Sequence, residues 1–130
     1  MSLNTTTTNY DGLRVYVVED EALVAMNLEM ILEELGCVIA ATAMRFDQAE
    51  QMINEGIEAD VAILDVNLGG LNVFPLAERL IERGIPVVFA TGYDESGIDD
   101  AWHGTPTLQK PYTAEDVDRG LAMVLAARQS

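Results

Sequence analysis

The chain has 130 residues, 22 of them Asp or Glu and only 7 Lys or Arg, a formal net charge of −15. That length suits one domain with its own core, while the charge argues against a nucleic-acid backbone or an anionic membrane surface as partner, since both are bound by clustered basic side chains. The single cysteine, Cys37, excludes an internal disulfide and suits a cytoplasmic setting, and 49% hydrophobic residues are too many for a disordered acidic tail. No apolar run approaches the roughly 18–20 residues that span a bilayer.

Residues 1–11 read as a polar, disordered leader, because Asn4, Asn9 and the threonines between them carry no apolar period. One domain is expected over 12–130. Its first strand is the continuous apolar run Val15 to Val18, which stops abruptly at Glu19-Asp20-Glu21. Val24, Leu28, Ile31 and Leu35 then recur on one helical stripe, closed by Gly36. Val38 to Thr42 is a weaker strand candidate, and Phe46, Ala49 and Ile53 mark a short helix ending near Gly56. Val61 to Leu64 is a second continuous apolar run, halted by Asp65. A helix carrying Val73, Ala77, Leu80 and Ile81 follows, with Pro75 tolerable in its first turn and Gly84 past its end.

Pro86 to Ala90 is a third apolar run, stopping at Thr91-Gly92. Asp94 to Trp102 has a poor stripe and is the weakest helix of the series. Thr105 to Gln109 is the last strand candidate, and Val117, Leu121, Val124 and Leu125 give the last helix. Thr113 caps that helix, with Asp116 three residues on. Apolar runs without alternation suit strands buried on both faces. The series is (βα)5, an α/β three-layer sandwich around a parallel sheet.

The polar residues at the strand ends carry the chemistry. Glu19 and Asp20 follow the first strand, Asp65 the third, Thr91 the fourth and Lys110 the fifth. In open α/β sheets, ligand sites gather outside the carboxyl ends of the strands. Like charges about 4 Å apart repel by about 4 kcal/mol at an effective dielectric near 20, so clustered carboxylates need a counter-charge. A hard cation such as Mg²⁺ suits carboxylate and carbonyl oxygens, and Lys110 adds a fixed positive charge. An Asp carboxylate can itself be a nucleophile for phosphoryl transfer, which needs chiefly position and charge neutralisation. Taken singly, each residue has a plainer reading: Asp65 as a turn cap, Glu19-Asp20 as a solvated helix start, Thr91 as a strand residue, Lys110 as an exposed lysine before a proline. Trp102 reads as a packed lid rather than a partner anchor.

Val17-Val18-Glu19-Asp20-Glu21, Ile63-Leu64-Asp65, Phe89-Ala90-Thr91-Gly92 and Lys110-Pro111 together resemble the receiver domain of bacterial two-component response regulators. The resemblance runs from about Leu13 to Arg128 and implies a flavodoxin-like fold with strand order 2-1-3-4-5. It implies a phosphoacceptor switch in which Asp65 takes a phosphoryl group from a sensor histidine kinase or a histidine phosphotransfer protein. Asp20, Asp65 and the main-chain carbonyl of Asn67 would bind Mg²⁺, with Glu19 acting through water. Thr91 and Lys110 would contact the phosphoryl oxygens, and the Lys110-Pro111 bond would be cis.

Two positions depart from the pattern. Glu19 stands where the family more often has aspartate, and Thr107 stands where it usually has the aromatic that couples to the threonine. Phe89-Ala90-Thr91-Gly92-Tyr93 resembles the motif of the FATGUY receiver subgroup, which lacks that aromatic, so Thr91 and Tyr93 are the switch candidates. The phosphodonor is expected to dock near Ala22, Leu23 and Tyr112, and Asn67 and Tyr93 to tune attack by water. Output would be a change of protein partner, as a monomer or a phosphorylation-dependent dimer, without nucleic acid or membrane. A phosphate sink or a receiver cut from a longer regulator is the alternative. A Mg²⁺-dependent phosphohydrolase would need an acid two residues after its nucleophile, and that place holds Asn67; a phosphorylation-independent scaffold would not need Asp65, Thr91 and Lys110.

Overall fold

The computed structural model describes residues 10–92, 102 and 104–129. Tyr93, His103 and all of the Asp94–Trp102 helix candidate except Trp102 lie outside them. The elements are β1 (Arg14–Val18), α1 (Ala22–Glu34), β2 (Val38–Ala43), α2 (Phe46–Glu55), β3 (Val61–Asp65), β4 (Asn67–Leu68), β5 (Leu71–Asn72), α3 (Phe74–Glu82), β6 (Val87–Thr91), β7 (Thr107–Gln109) and α4 (Ala114–Gln129). Five strands form one sheet in the order β2-β1-β3-β6-β7, every adjacent pair parallel. With the β4–β5 hairpin set aside, this is the expected order 2-1-3-4-5.

Alternation along β1 divides the core. Val15 and Val17 face one side, with Leu28, Leu32, Val117 and Leu121 of α1 and α4. Tyr16 and Val18 face the other, with Ala49, Ile53, Leu76 and Leu80 of α2 and α3. All five residues of β3 and of β6 are buried, which explains their unbroken apolar runs. The last helix is entered by a reciprocal cap: the Asp116 N–H donates to Thr113 Oγ1 at 3.2 Å, and the Thr113 N–H to Asp116 Oδ2 at 2.9 Å.

Three details differ from the sequence reading. Tyr10, assigned to the leader, is buried, and its hydroxyl donates to Asp118 Oδ1 at 2.7 Å. In α3 the buried stripe runs through Phe74, Leu76, Ala77 and Leu80, whereas Ile81 is 47% exposed. The β4–β5 hairpin was not foreseen. Its turn, Gly69-Gly70, has φ of +58° and +87°, the left-handed pair that a two-residue type I′ turn requires.

A candidate phosphoacceptor site at the strand ends

Parallel pairing brings every strand's carboxyl end to one edge of the sheet. The register sets Val18 beside Leu64, Asp65 beside Ala90, and Thr91 beside Gln109. Glu19 therefore emerges next to Asp65, and Lys110 next to Thr91, whose carbonyl accepts the Lys110 N–H at 2.8 Å. Glu19, Asp65 and Thr91 are the buried polar residues among those described. The Lys110-Pro111 peptide is cis.

Lys110 is the hub of the site. Its Nζ lies 2.9 Å from Glu19 Oε1, 3.1 Å from Asp65 Oδ2 and 3.7 Å from Glu21 Oε1. Burial pushes the Glu19 carboxyl up to about 7, against the pull of Lys110 and with the push of the Asp65 charge. Burial likewise raises Asp65, although Lys110 and the Asn67 N–H favour its charged form. Lys110 is lowered by burial, yet its two carboxylate partners outweigh that and hold it ammonium.

Backbone donors fix the carboxylates. The Asn67 N–H donates to Asp65 Oδ1 at 3.2 Å, and the Glu21 N–H to Glu19 Oε2 at 3.1 Å. Asp20 Oδ2 accepts the Gly69 N–H at 3.0 Å, and Asn67 Oδ1 accepts the Gly70 N–H at 2.9 Å. The hairpin turn thus holds two of the residues expected to bind the cation. Carboxylate oxygens of Glu19, Asp20 and Glu21 lie within 4.8 Å of one another. Three carboxylates within 4 Å of one ammonium, with Asp20 beside two of them, leave excess negative charge, and the all-oxygen donor set fits a hard cation.

The residues singled out from sequence therefore converge: Glu19, Asp20, Asp65, Asn67, Thr91 and Lys110 share this edge. Tyr93 lies outside the described residues. Two contributors were missed. The Gly69 N–H could have been found from the paired glycines between Leu68 and Leu71, a hairpin signal. Glu21 is the third acid of its run and reaches Lys110 only because α1 begins beside it. Trp102 packs as expected of a lid, stacked on Phe74 with ring centroids 5.7 Å apart and edge-on to Phe89 at 5.4 Å.

A parallel 2-1-3-4-5 sheet with acids at the ends of its first and third strands and a lysine after its fifth defines the class. The family model described as "Response regulator receiver domain" matches residues 15–117, and the chain belongs to that family. It is a receiver domain of two-component response regulators, the signalling switch of such systems. The solution structure of SdrG from Sphingomonas melonis Fr1 is 42% identical, with a TM-score of 0.78, covering 88% of this chain and 97% of that one. The receiver domain of the Erythrobacter litoralis PhyR response regulator is 26% identical, also with a TM-score of 0.78, covering 92% and 95%. The Phe89–Tyr93 motif is consistent with the FATGUY subgroup beside these neighbours. The positive alginate biosynthesis regulatory protein of Pseudomonas aeruginosa is 30% identical over 115 residues, 84% of this chain but 46% of that protein. The chain spans less than half the length of the curated relatives it matches. No helix among the described residues is long and apolar enough to cross a membrane.

Proposed function

We propose that Asp65 is the phosphoacceptor of a cytoplasmic phosphorelay. A carboxylate oxygen of Asp65 attacks the phosphorus of a phosphohistidine on a sensor kinase or phosphotransfer protein. The P–N bond breaks, its electron pair returns to the imidazole, and Asp65 becomes an acyl phosphate. The observation that carries this reading is the buried Asp65 carboxylate, held between the Asn67 N–H and the Lys110 ammonium at the meeting point of four strand ends.

Each neighbour has a task. Lys110 neutralises charge as the phosphoryl group arrives, and the Thr91 hydroxyl donates to a phosphoryl oxygen from the end of β6. Asp20, Asp65 and the Asn67 carbonyl would hold Mg²⁺, and Glu19 would act on it through water. When bound, Mg²⁺ supplies positive charge against the phosphoryl oxygens and orients them for in-line transfer. The donor docks beside the site on the face bearing Ala22 and Leu23, where Leu23 is 80% exposed; Tyr112, expected on that face, is 5% exposed and packed in the core instead. Asn67 has no acidic proton, and its side-chain oxygen is already engaged with Gly70, which disfavours turnover of small phosphoesters. Output is a change of protein partner through Thr91 and Tyr93. The coverage of under half of its curated relatives keeps the fragment-of-a-longer-regulator reading in play.

The test is intact-mass measurement after incubation with acetyl phosphate and Mg²⁺. Wild type is expected to gain one phosphoryl group, and to gain none when EDTA is present. Asp65→Asn is expected to remain unmodified; an adduct that survives this substitution overturns the assignment.

A further inference from the structure

The three carboxylates that share Lys110 differ in depth. The side chains of Glu19 and Asp65 are 2% and 7% exposed, whereas that of Glu21 is 65% exposed with its Oε1 3.7 Å from Lys110 Nζ. Glu19 and Asp65 thus form the floor of the site, and Glu21 stands on its rim. Glu21 occupies the cap position of α1, yet its side chain makes no capping hydrogen bond. Its main-chain N–H donates to Glu19 Oε2 at 3.1 Å. The rim carboxylate is therefore directed at the lysine and not spent on the helix.

Beside this rim opens a concavity of about 490 Å³, lined by Glu21, Leu23, Val24 and Asn27 on the α1 side and by Lys110 and Pro111 opposite. Lys110 also contacts Asp65 at 3.1 Å, so the concavity and the phosphoacceptor share a wall. In-line transfer places the leaving group on the face of phosphorus opposite the attacking oxygen. With Asp65 on the floor, the leaving group departs on the rim side, past Glu21. Glu21 is not among the groups that would hold Mg²⁺, so a bound cation leaves its charge the least neutralised of the three.

We propose that Glu21 is a specificity-determining residue for the phosphodonor, favouring donors whose leaving nitrogen carries positive charge over acyl phosphates. The proposal rests on Asp65 being the phosphoacceptor. A phosphohistidine ring protonated on its second nitrogen is a cation. As the P–N electron pair returns to the ring, it departs as neutral imidazole and keeps that proton. Part of the positive charge persists in the transition state, where Glu21 attracts it. Acetyl phosphate instead breaks a P–O bond and the electron pair leaves on acetate, so negative charge develops where Glu21 already stands. One fixed carboxylate thus assists the first class of donor and opposes the second.

The experiment uses Glu21→Gln, which keeps the side-chain shape and removes the charge. Second-order rate constants for phosphorylation are measured by intact mass with phosphoramidate, whose nitrogen is protonated at neutral pH, and with acetyl phosphate. Both series use saturating Mg²⁺ and low salt. The variant is expected to react about threefold faster with acetyl phosphate and about threefold slower with phosphoramidate, the size of one screened surface charge. The difference is expected to shrink at high salt. Glu33→Gln, the same change of charge near the other end of α1, is expected to keep the wild-type ratio of the two rates. An unchanged ratio in Glu21→Gln overturns the proposal, whether the two rates stay constant or fall together through weaker Mg²⁺ binding. A ratio shifted in the opposite sense, or shifted equally in Glu33→Gln, overturns it as well. A lowered urea midpoint with an unchanged ratio would reduce Glu21 to a charge at a helix start. Failure of wild type to react with either donor would instead overturn the Asp65 reading.

Discussion

At the scale of single residues, the site is governed by one lysine shared between acids. Glu19 is the most deeply buried of those acids, 2% exposed, and its carboxyl is pushed up to about 7 by burial. A folded pKa raised above the unfolded one means that the folded chain binds the extra proton between those two values. The stabilising contribution is therefore fully present below about 4.5, the ordinary value, and is lost as pH rises through about 7. In EDTA, the urea midpoint of wild type is expected to fall between pH 5 and pH 8 more steeply than that of Glu19→Gln. Parallel slopes for the two proteins would contradict the burial argument. Asp65 is displaced in the same direction, so part of the slope is expected to remain in the variant. Among the site residues, Glu19, Asp20, Asp65 and Thr91 were legible because they stand where apolar runs stop, and Lys110 because it follows the last strand candidate and precedes Pro111. The reach of Glu21 was not, because no sequence pattern reports that its carboxylate approaches Lys110 and leaves α1 uncapped.

At the scale of elements, local sequence chemistry and tertiary packing contributed unequally. The Thr113 and Asp116 cap was readable from spacing alone, since it depends only on residues three apart. Thr113→Ala is expected to cost about 1 kcal/mol, read as a shift in urea midpoint without change in its slope. A shift below the error of the measurement would show that packing of α4, not its cap, sets the helix start. The α3 stripe was read less well. Val73 is the cap residue rather than part of the helix, and Leu76 rather than Ile81 faces the core. Phe74 and Leu76 are two apart, and only the packed position of α3 against α2 and the sheet decides which side of a nine-residue helix is buried. Tyr10 was hidden for a similar reason, because its anchor, Asp118, lies 108 residues away. The hairpin was available in principle from Gly69-Gly70, yet its strands are two residues each and carry no periodicity.

At the scale of the whole molecule, the fold's main work is to gather strand ends. Five parallel strands point their carboxyl ends at one edge, so residues far apart in sequence become neighbours without any loop having to carry them there. This is why the fold and most of the site could be read together: the same apolar runs that define the strands also say where they stop. The net charge of −15 now has two parts. A few acids are concentrated around Lys110, where they are held by backbone N–H groups and face a cation-binding edge. Others cover exposed positions such as Glu33, Glu34, Glu55 and Glu58, where they oppose binding to polyanions. The central claim is that the acyl phosphate forms at one residue of that edge. Borohydride reduction of the phosphorylated chain, followed by peptide mapping, converts an aspartyl phosphate to homoserine and so marks its position. Homoserine is expected at Asp65 and nowhere else; homoserine at Asp20, hydroxynorvaline at Glu19, or no reduced residue in a chain that has gained a phosphoryl group, would contradict it.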